Sequence, residues 1–166
     1  MSAVVRVPRS VAERLRREAG RAGVSLEEYV LELLMRDADP REQAQGYLEA
    51  AEELLVEARK ELGRGDLRQA AEKVWGAAAL ALKAYATWKE GRRLSSHSEL
   101  WEYKRVLEGE LGGWVSDAWA QATAMHVCFY EGWCTSEDVE EALARVERLV
   151  QGVGRLVRGG AASRVS

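Results

Sequence analysis

The chain has two histidines, His97 and His126, and two cysteines, Cys128 and Cys134. An imidazole can move a proton, and His126 shares one helical face with Trp119, Thr123 and Tyr130, which lie seven, three and four positions from it. A blander fate is a buried histidine bonded to a neighbour such as Thr123 or Tyr130. A metal reading that joins His126 to Cys128 and Cys134 is weaker, because the spacings do not match a structural zinc pattern and no fourth ligand is evident. No metal and no cofactor are therefore expected. The cysteines stand six apart, on opposite sides of a continuous helix, so a disulfide would need a bend between them and reduced, buried thiols are expected. The six tryptophans, Trp75, Trp88, Trp101, Trp114, Trp119 and Trp133, read as core and interface residues, and an exposed one could stack a base.

These side chains sit in 166 residues, enough for one ordinary domain, or one of about 120 residues with an appendage, closing a core without disulfides or metal. The net charge of −3 argues against a polyelectrolyte that coats nucleic acid, but the charges are unevenly placed. Arg6, Arg9, Arg14, Arg16, Arg17 and Arg21 oppose only Glu13 and Glu18 in residues 1–24, whereas residues 25–40 are mainly acidic. Any phosphate-attracting surface is thus expected at the front. No apolar run approaches the roughly 18 residues that span a bilayer, and the first residues lack the continuous apolar stretch of a signal peptide, so a cytoplasmic location without membrane contact is expected. Arginine far outnumbers lysine and asparagine is absent, a bias that fits thermophiles and that GC-rich coding also produces.

Ala3, Val5 and Val7 alternate with Ser2, Val4 and Arg6 before Pro8, the pattern of a short strand with one face to bury. Ser10 can cap a helix with Val11, Leu15, Ala19 and Ala22 on one side and Gly23 at its end. Ser25 and Glu28 form a capping box for a second helix, striped by Leu26, Tyr29, Val30, Leu33 and Leu34, which ends near Asp37. Asp39-Pro40 disfavours continuation and marks a domain boundary.

Five bundle helices are expected beyond it. The first is striped from Tyr47 to Leu62. The second is capped by Asp66, apolar on most sides and ended by Gly91, as a central helix would be. A third opens at Ser98 and stops before Gly112-Gly113; a fourth runs from near Trp114 to about Gly132. Thr135 and Asp138 cap the fifth, with Val139, Leu143, Val146, Val150, Val153 and Val157 as its stripe. Residues 159–166 read as a disordered tail. The organisation expected is 1–39, 44–158 and 159–166, mainly all-α apart from the strand.

Residues 2–38 resemble the ribbon-helix-helix family, through Val5-Arg6-Val7-Pro8, Gly23-Val24-Ser25 and the Ser25-Leu26-Glu27-Glu28-Tyr29 helix start. In that family two chains pair their strands into a ribbon that lies in the DNA major groove. The resemblance implies that Ser2, Val4 and Arg6 face the groove, because Ala3, Val5 and Val7 must face the helices. Arg6 could pair with guanine, Ser2 with several bases and Val4 with a thymine methyl group, while Ser25 and the free amides behind it would hold a phosphate. The alternative is a dimerisation clasp that binds no DNA.

Residues 44–158 resemble the HEPN helical bundles, and more closely the archaeal PaREP family. The resemblance rests on Ala70-Ala71-Glu72-Lys73-Val74-Trp75-Gly76-Ala77-Ala78, Gly91-Arg92-Arg93-Leu94-Ser95-Ser96-His97-Ser98-Glu99-Leu100 and Ala120-Gln121-Ala122-Thr123-Ala124-Met125-His126-Val127-Cys128-Phe129-Tyr130-Glu131. HEPN bundles usually dimerise and often cleave RNA or bind nucleotides, and their ribonucleases place an arginine four to six residues before a catalytic histidine. The resemblance puts His126 in that place, with Tyr130 one turn on, but Gln121 stands where the arginine should be and supplies no charge. Arg92 to His97 has the spacing but falls in a loop, so that match reads as accidental.

The function expected first is a homodimeric or tetrameric DNA-binding protein of regulator or antitoxin type, with the bundle as effector or partner surface and duplex DNA as ligand. The rivals are a ribonuclease-like enzyme of toxin type, for which RNA or a nucleotide is the ligand and His126 and Tyr130 the residues to test, and a scaffold with neither activity.

Overall fold

The computed structural model describes residues 3–163. Seven helices form: α1 Arg9–Ala22, α2 Leu26–Met35, α3 Pro40–Gly63, α4 Leu67–Glu90, α5 His97–Leu111, α6 Trp114–Glu131 and α7 Ser136–Ser163. The described residues are all-helical, with no strand. This corrects the expected architecture of a strand and two helices before a five-helix bundle. Residues 3–8 are irregular, and Ala3, Val5 and Val7, expected to face the helices, are exposed like Val4 and Arg6. A strand needs a neighbour to take its amides and carbonyls, and one chain offers none here.

Local chemistry accounts for the helix ends. Ser25 Oγ accepts from Glu28 N at 3.1 Å, Asp39 Oδ1 from Arg41 N at 2.8 Å and Asp66 Oδ1 from Gln69 N at 3.1 Å. Thr135 and Asp138 cap α7 reciprocally: Asp138 N donates to Thr135 Oγ1 at 3.2 Å and Thr135 N to Asp138 Oδ2 at 2.8 Å. Pro40 ends α2 as expected but also starts α3, where its fixed φ and missing amide suit the first helical position. The helix therefore begins seven residues before Tyr47, the first position of the apolar stripe, because its first two turns hold mostly polar residues. At the other end α7 passes Gly159 and continues to Ser163.

The core is centred on α4, which packs against α3, α5, α6 and α7. Its residues from Ala70 to Thr87 are almost all buried, and alanine dominates the contact surface, so neighbouring backbones approach closely. Gly76 carries this furthest: a Cβ there would lie 3.0 Å from Leu54 Cδ1. Leu48, Leu55, Trp119, Val139, Val146 and Val153 close the core around it.

The front segment is attached to this core. Lys83, 7% exposed in the middle of α4, pairs with Glu28 of α2 and lies 3.8 Å from Glu32, which also pairs with Arg93. Burial, reinforced by the negative charge of Glu32, pushes the Tyr47 phenol beside this network up to about 12. Leu31 and Met35 lie over Gly46 of α3, and Gln43 Nε2 donates to the carbonyls of Met35 and Ala38 at 2.9 Å each. One face of α2 is thus held by the bundle, while Leu33 and Leu34 point into solvent.

Candidate functional site

Three helices bring the site together. α4 supplies Glu72 and Trp75, the first turn of α5 supplies His97 and Trp101, and α6 supplies Trp119, His126 and Tyr130. His126 Nδ1 lies 3.1 Å from Glu72 Oε2. A carboxylate there accepts from Nδ1–H, which leaves Nε2 as the nitrogen open to proton transfer. The His126 ring stacks on Trp75 at a centroid distance of 4.8 Å, and Tyr130 meets it edge-on at 5.2 Å. His97 stands edge-on to both Trp75 and His126, each at 5.4 Å. Trp119 lies beneath, 5.1 Å from Trp75, with Trp101 beyond it at 6.1 Å.

Polarity divides the cluster. Trp75 and Trp119 are buried; Glu72 and His126 are half-buried; His97, Trp101 and Tyr130 are exposed. Burial raises the Glu72 carboxyl above its ordinary value, against the lowering pull of its hydrogen bond to His126 and of the charges on His126 and Lys73. A half-buried carboxyl with a raised pKa beside an imidazole is an arrangement suited to holding and handing on a proton.

His97 is placed by its own turn. Ser96 caps α5 by accepting from Glu99 N at 3.2 Å, and Glu99 Oε2 accepts from Ser95 N at 2.6 Å, which holds the Glu99 carboxyl below the usual carboxylate range. Buried Leu94 pins the preceding loop.

The disulfide expectation is corrected. Cys128 and Cys134 are bonded, with their Cα atoms 5.8 Å apart. The necessary bend is Gly132, whose φ of 72° ends α6 and turns the chain so that Cys134 returns beside Cys128. Arg68 fills the space at that turn and donates to the Tyr130 carbonyl at 3.1 Å, and a Cβ on residue 132 would lie 2.7 Å from Arg68 Nε.

His126 and Tyr130 are thus in contact, as residues on one helical face should be. Neither Thr123 nor Tyr130 is the hydrogen-bond partner of His126; Thr123 Oγ1 donates to the Trp119 carbonyl instead, at 2.9 Å. Gln121 is half-buried on the same helix. Glu72 was not singled out by sequence reasoning, and His97 was considered only as an accidental match to Arg92. Glu72 lies 54 positions from His126; its signal was a carboxylate on a helix that is apolar on most sides. At the front, Val4, Arg6 and Ser25 are exposed, the Ser25 hydroxyl serves as a helix cap, and Ser2 lies outside the described residues. No group of three or more His, Cys, Asp or Glu among the described residues is arranged to hold a metal ion, and none of their helices is long and apolar enough to cross a membrane.

Fold and site define an alanine-rich helical bundle with an imidazole, carboxylate and aromatic cluster at its surface. The chain belongs to the archaeal PaREP1/PaREP8 family, whose model matches residues 46–150. Among solved structures, a protein from Sulfolobus solfataricus is similar, with 27% identity and a TM-score of 0.57 over 64% of this chain and 94% of that one. No curated protein matches the chain.

Proposed function

We propose that the protein is a homodimeric DNA-binding protein of regulator or antitoxin type, whose front segment pairs with a second copy and whose bundle serves as the effector or partner surface. The observation that carries this reading is the uncovered apolar surface at the front. Val4, Val5 and Leu34 are 93%, 82% and 77% exposed, and Val7, Val11 and Leu33 also face solvent. Exposed apolar side chains on an irregular segment and on the helix pair behind it are what a second strand and a second helix pair would cover. Arg6, Arg14, Arg16 and Arg17 lie exposed in the same segment and supply charge for phosphates.

The test is binding of the full chain to a pool of random duplex DNA across a salt series, beside Arg6→Ala, with the oligomeric state followed by light scattering and compared with Leu34→Glu. Enrichment of a two-fold symmetric site that weakens with salt and is lost with Arg6→Ala supports the reading. A dimer that binds no duplex at low salt reduces the segment to a clasp.

A second reading is favoured by the contact of His126 with Glu72 and the exposed Tyr130 ring. It is a ribonuclease-like activity of toxin type in the bundle, with His126 as the proton-moving group. Cleavage of single-stranded RNA that disappears in His126→Ala tests it.

A further inference from the structure

We propose that His97 and His126 are an acid and base pair that cleaves RNA by attack of its own 2′-hydroxyl, an inference that rests on the ribonuclease reading and adds a second catalytic residue to it. The two imidazoles come from different helices and meet edge-to-face at 5.4 Å, both against Trp75. Two imidazoles this close can both serve one phosphodiester.

The surroundings distinguish their roles. Glu72 holds Nδ1–H of His126, so Nε2 presents its lone pair as a base. His97 stands edge-on to the rings of Trp75 and His126 and is exposed, so its ring can meet a leaving oxygen as the acid. The other titratable groups around the pair are Glu72 on α4, with Lys73 beside it, and Tyr130 on α6. Tyr130 and Trp101 also expose ring surface, on which unpaired bases can stack.

Substrate class follows from the groups present. With His126 Nε2 placed as a base, the hydroxyl that a nucleic acid itself holds beside the phosphate is the 2′-hydroxyl, which RNA has and DNA lacks. His126 Nε2 takes the 2′-hydroxyl proton as the 2′-oxygen forms a bond to phosphorus. The bond from phosphorus to the 5′-oxygen breaks, and His97 gives its proton to that oxygen. The products are a 2′,3′-cyclic phosphate and a 5′-hydroxyl, and proton exchange with water resets both rings.

The experiment follows cleavage of a single-stranded RNA oligonucleotide by the full chain, with products identified by mass. A parallel assay uses uridine 3′-(4-nitrophenyl phosphate), whose leaving group needs no proton. His126→Ala is expected to lose about 10²- to 10⁴-fold on both substrates. His97→Gln should lose as much on the oligonucleotide but stay near wild type on the nitrophenyl ester, and should turn a bell-shaped pH profile into one that only rises. Loss in His126→Ala with no loss in His97→Gln removes His97 and leaves the ribonuclease reading standing. Equal losses in His97→Gln on both substrates make it a packing residue and overturn the proposal. Absence of cleavage by the wild type overturns both readings.

Discussion

Arg93 and His97 stand four residues apart at the entry to α5, yet they serve two separate clusters. Arg93 reaches Glu32 on the front helix, while His97 leans on Trp75 and His126. Between them Leu94 is buried and Ser95 and Ser96 are tied to Glu99, so the link is short and held at both ends. Glu72 and Lys83, eleven positions apart on α4, are separated by roughly 16 Å along the helix, and this loop spans the same interval outside it. A movement of α2 can reach one imidazole of the site through one ion pair and four residues of chain.

That path is testable without any activity. Arg93→Ala removes a half-exposed ion pair, so its effect on global stability should stay below about 1 kcal/mol. The His97 imidazole resonance should nevertheless shift in NMR spectra, and Arg64→Ala, an equally exposed change on a different turn, should leave it alone. If both variants leave His97 unmoved, the loop does not couple the two regions.

The Lys83 network makes a sharper prediction. Removing one member of a buried ion pair leaves the other uncompensated and costs about 3 to 5 kcal/mol, whereas replacing both by apolar residues is often neutral. Lys83→Met alone should therefore free α2 from the bundle, seen as faster hydrogen exchange across residues 26–35. Lys83→Met combined with Glu28→Leu should restore much of the protection. Equal exchange in wild type and Lys83→Met would show that Leu31 and Met35 suffice to hold the helix.

Much of this framework is legible in residue patterns, and the reasons are local. Asp66 and Gly91 bracket α4, Gly132 ends α6, and Thr135 with Asp138 opens α7, because each device acts within four residues of itself. The front strand fails for the opposite reason: alternation marks residues able to pair but cannot supply the partner. The disulfide was misjudged although its bend was visible in Gly132, since opposite sides of a helix become neighbours once the helix stops between them. His97 was set aside because spacing to Arg92 says nothing about which distant ring the chain brings beside it. The pairing of Glu72 with His126 belongs to tertiary packing, and no periodicity announces it.

Glu72 offers a pH signature. Its pKa is raised on folding, so between the ordinary carboxyl value of 4.5 and its folded value the native state binds more proton than the unfolded chain. Stability therefore falls as pH rises through that window. Glu72→Gln removes the titration, so the melting temperature of wild type relative to the variant should drop on going from pH 4 to pH 7. A difference that does not change with pH would mean that the hydrogen bond from His126 fully offsets the burial of the carboxyl.

The bond between Cys128 and Cys134 closes a short loop at the end of α6, just where Arg68 meets the carbonyl of Tyr130. A closed loop of this length restricts the unfolded chain by about 2 kcal/mol in the chain-entropy picture. For a protein of this size that corresponds to a melting temperature lower by roughly 4 to 8 °C. The double variant Cys128→Ser and Cys134→Ser should show that loss, and wild type melted in reductant should fall to the same value while the variant does not respond. Because the bond tethers the turn that follows Tyr130, hydrogen exchange should quicken over residues 128–134 and leave α4 unaffected. Reductant-insensitive melting of the wild type would show either that the thiols are free in solution or that the closed loop adds no stability, and iodoacetamide labelling of the native protein separates those two outcomes.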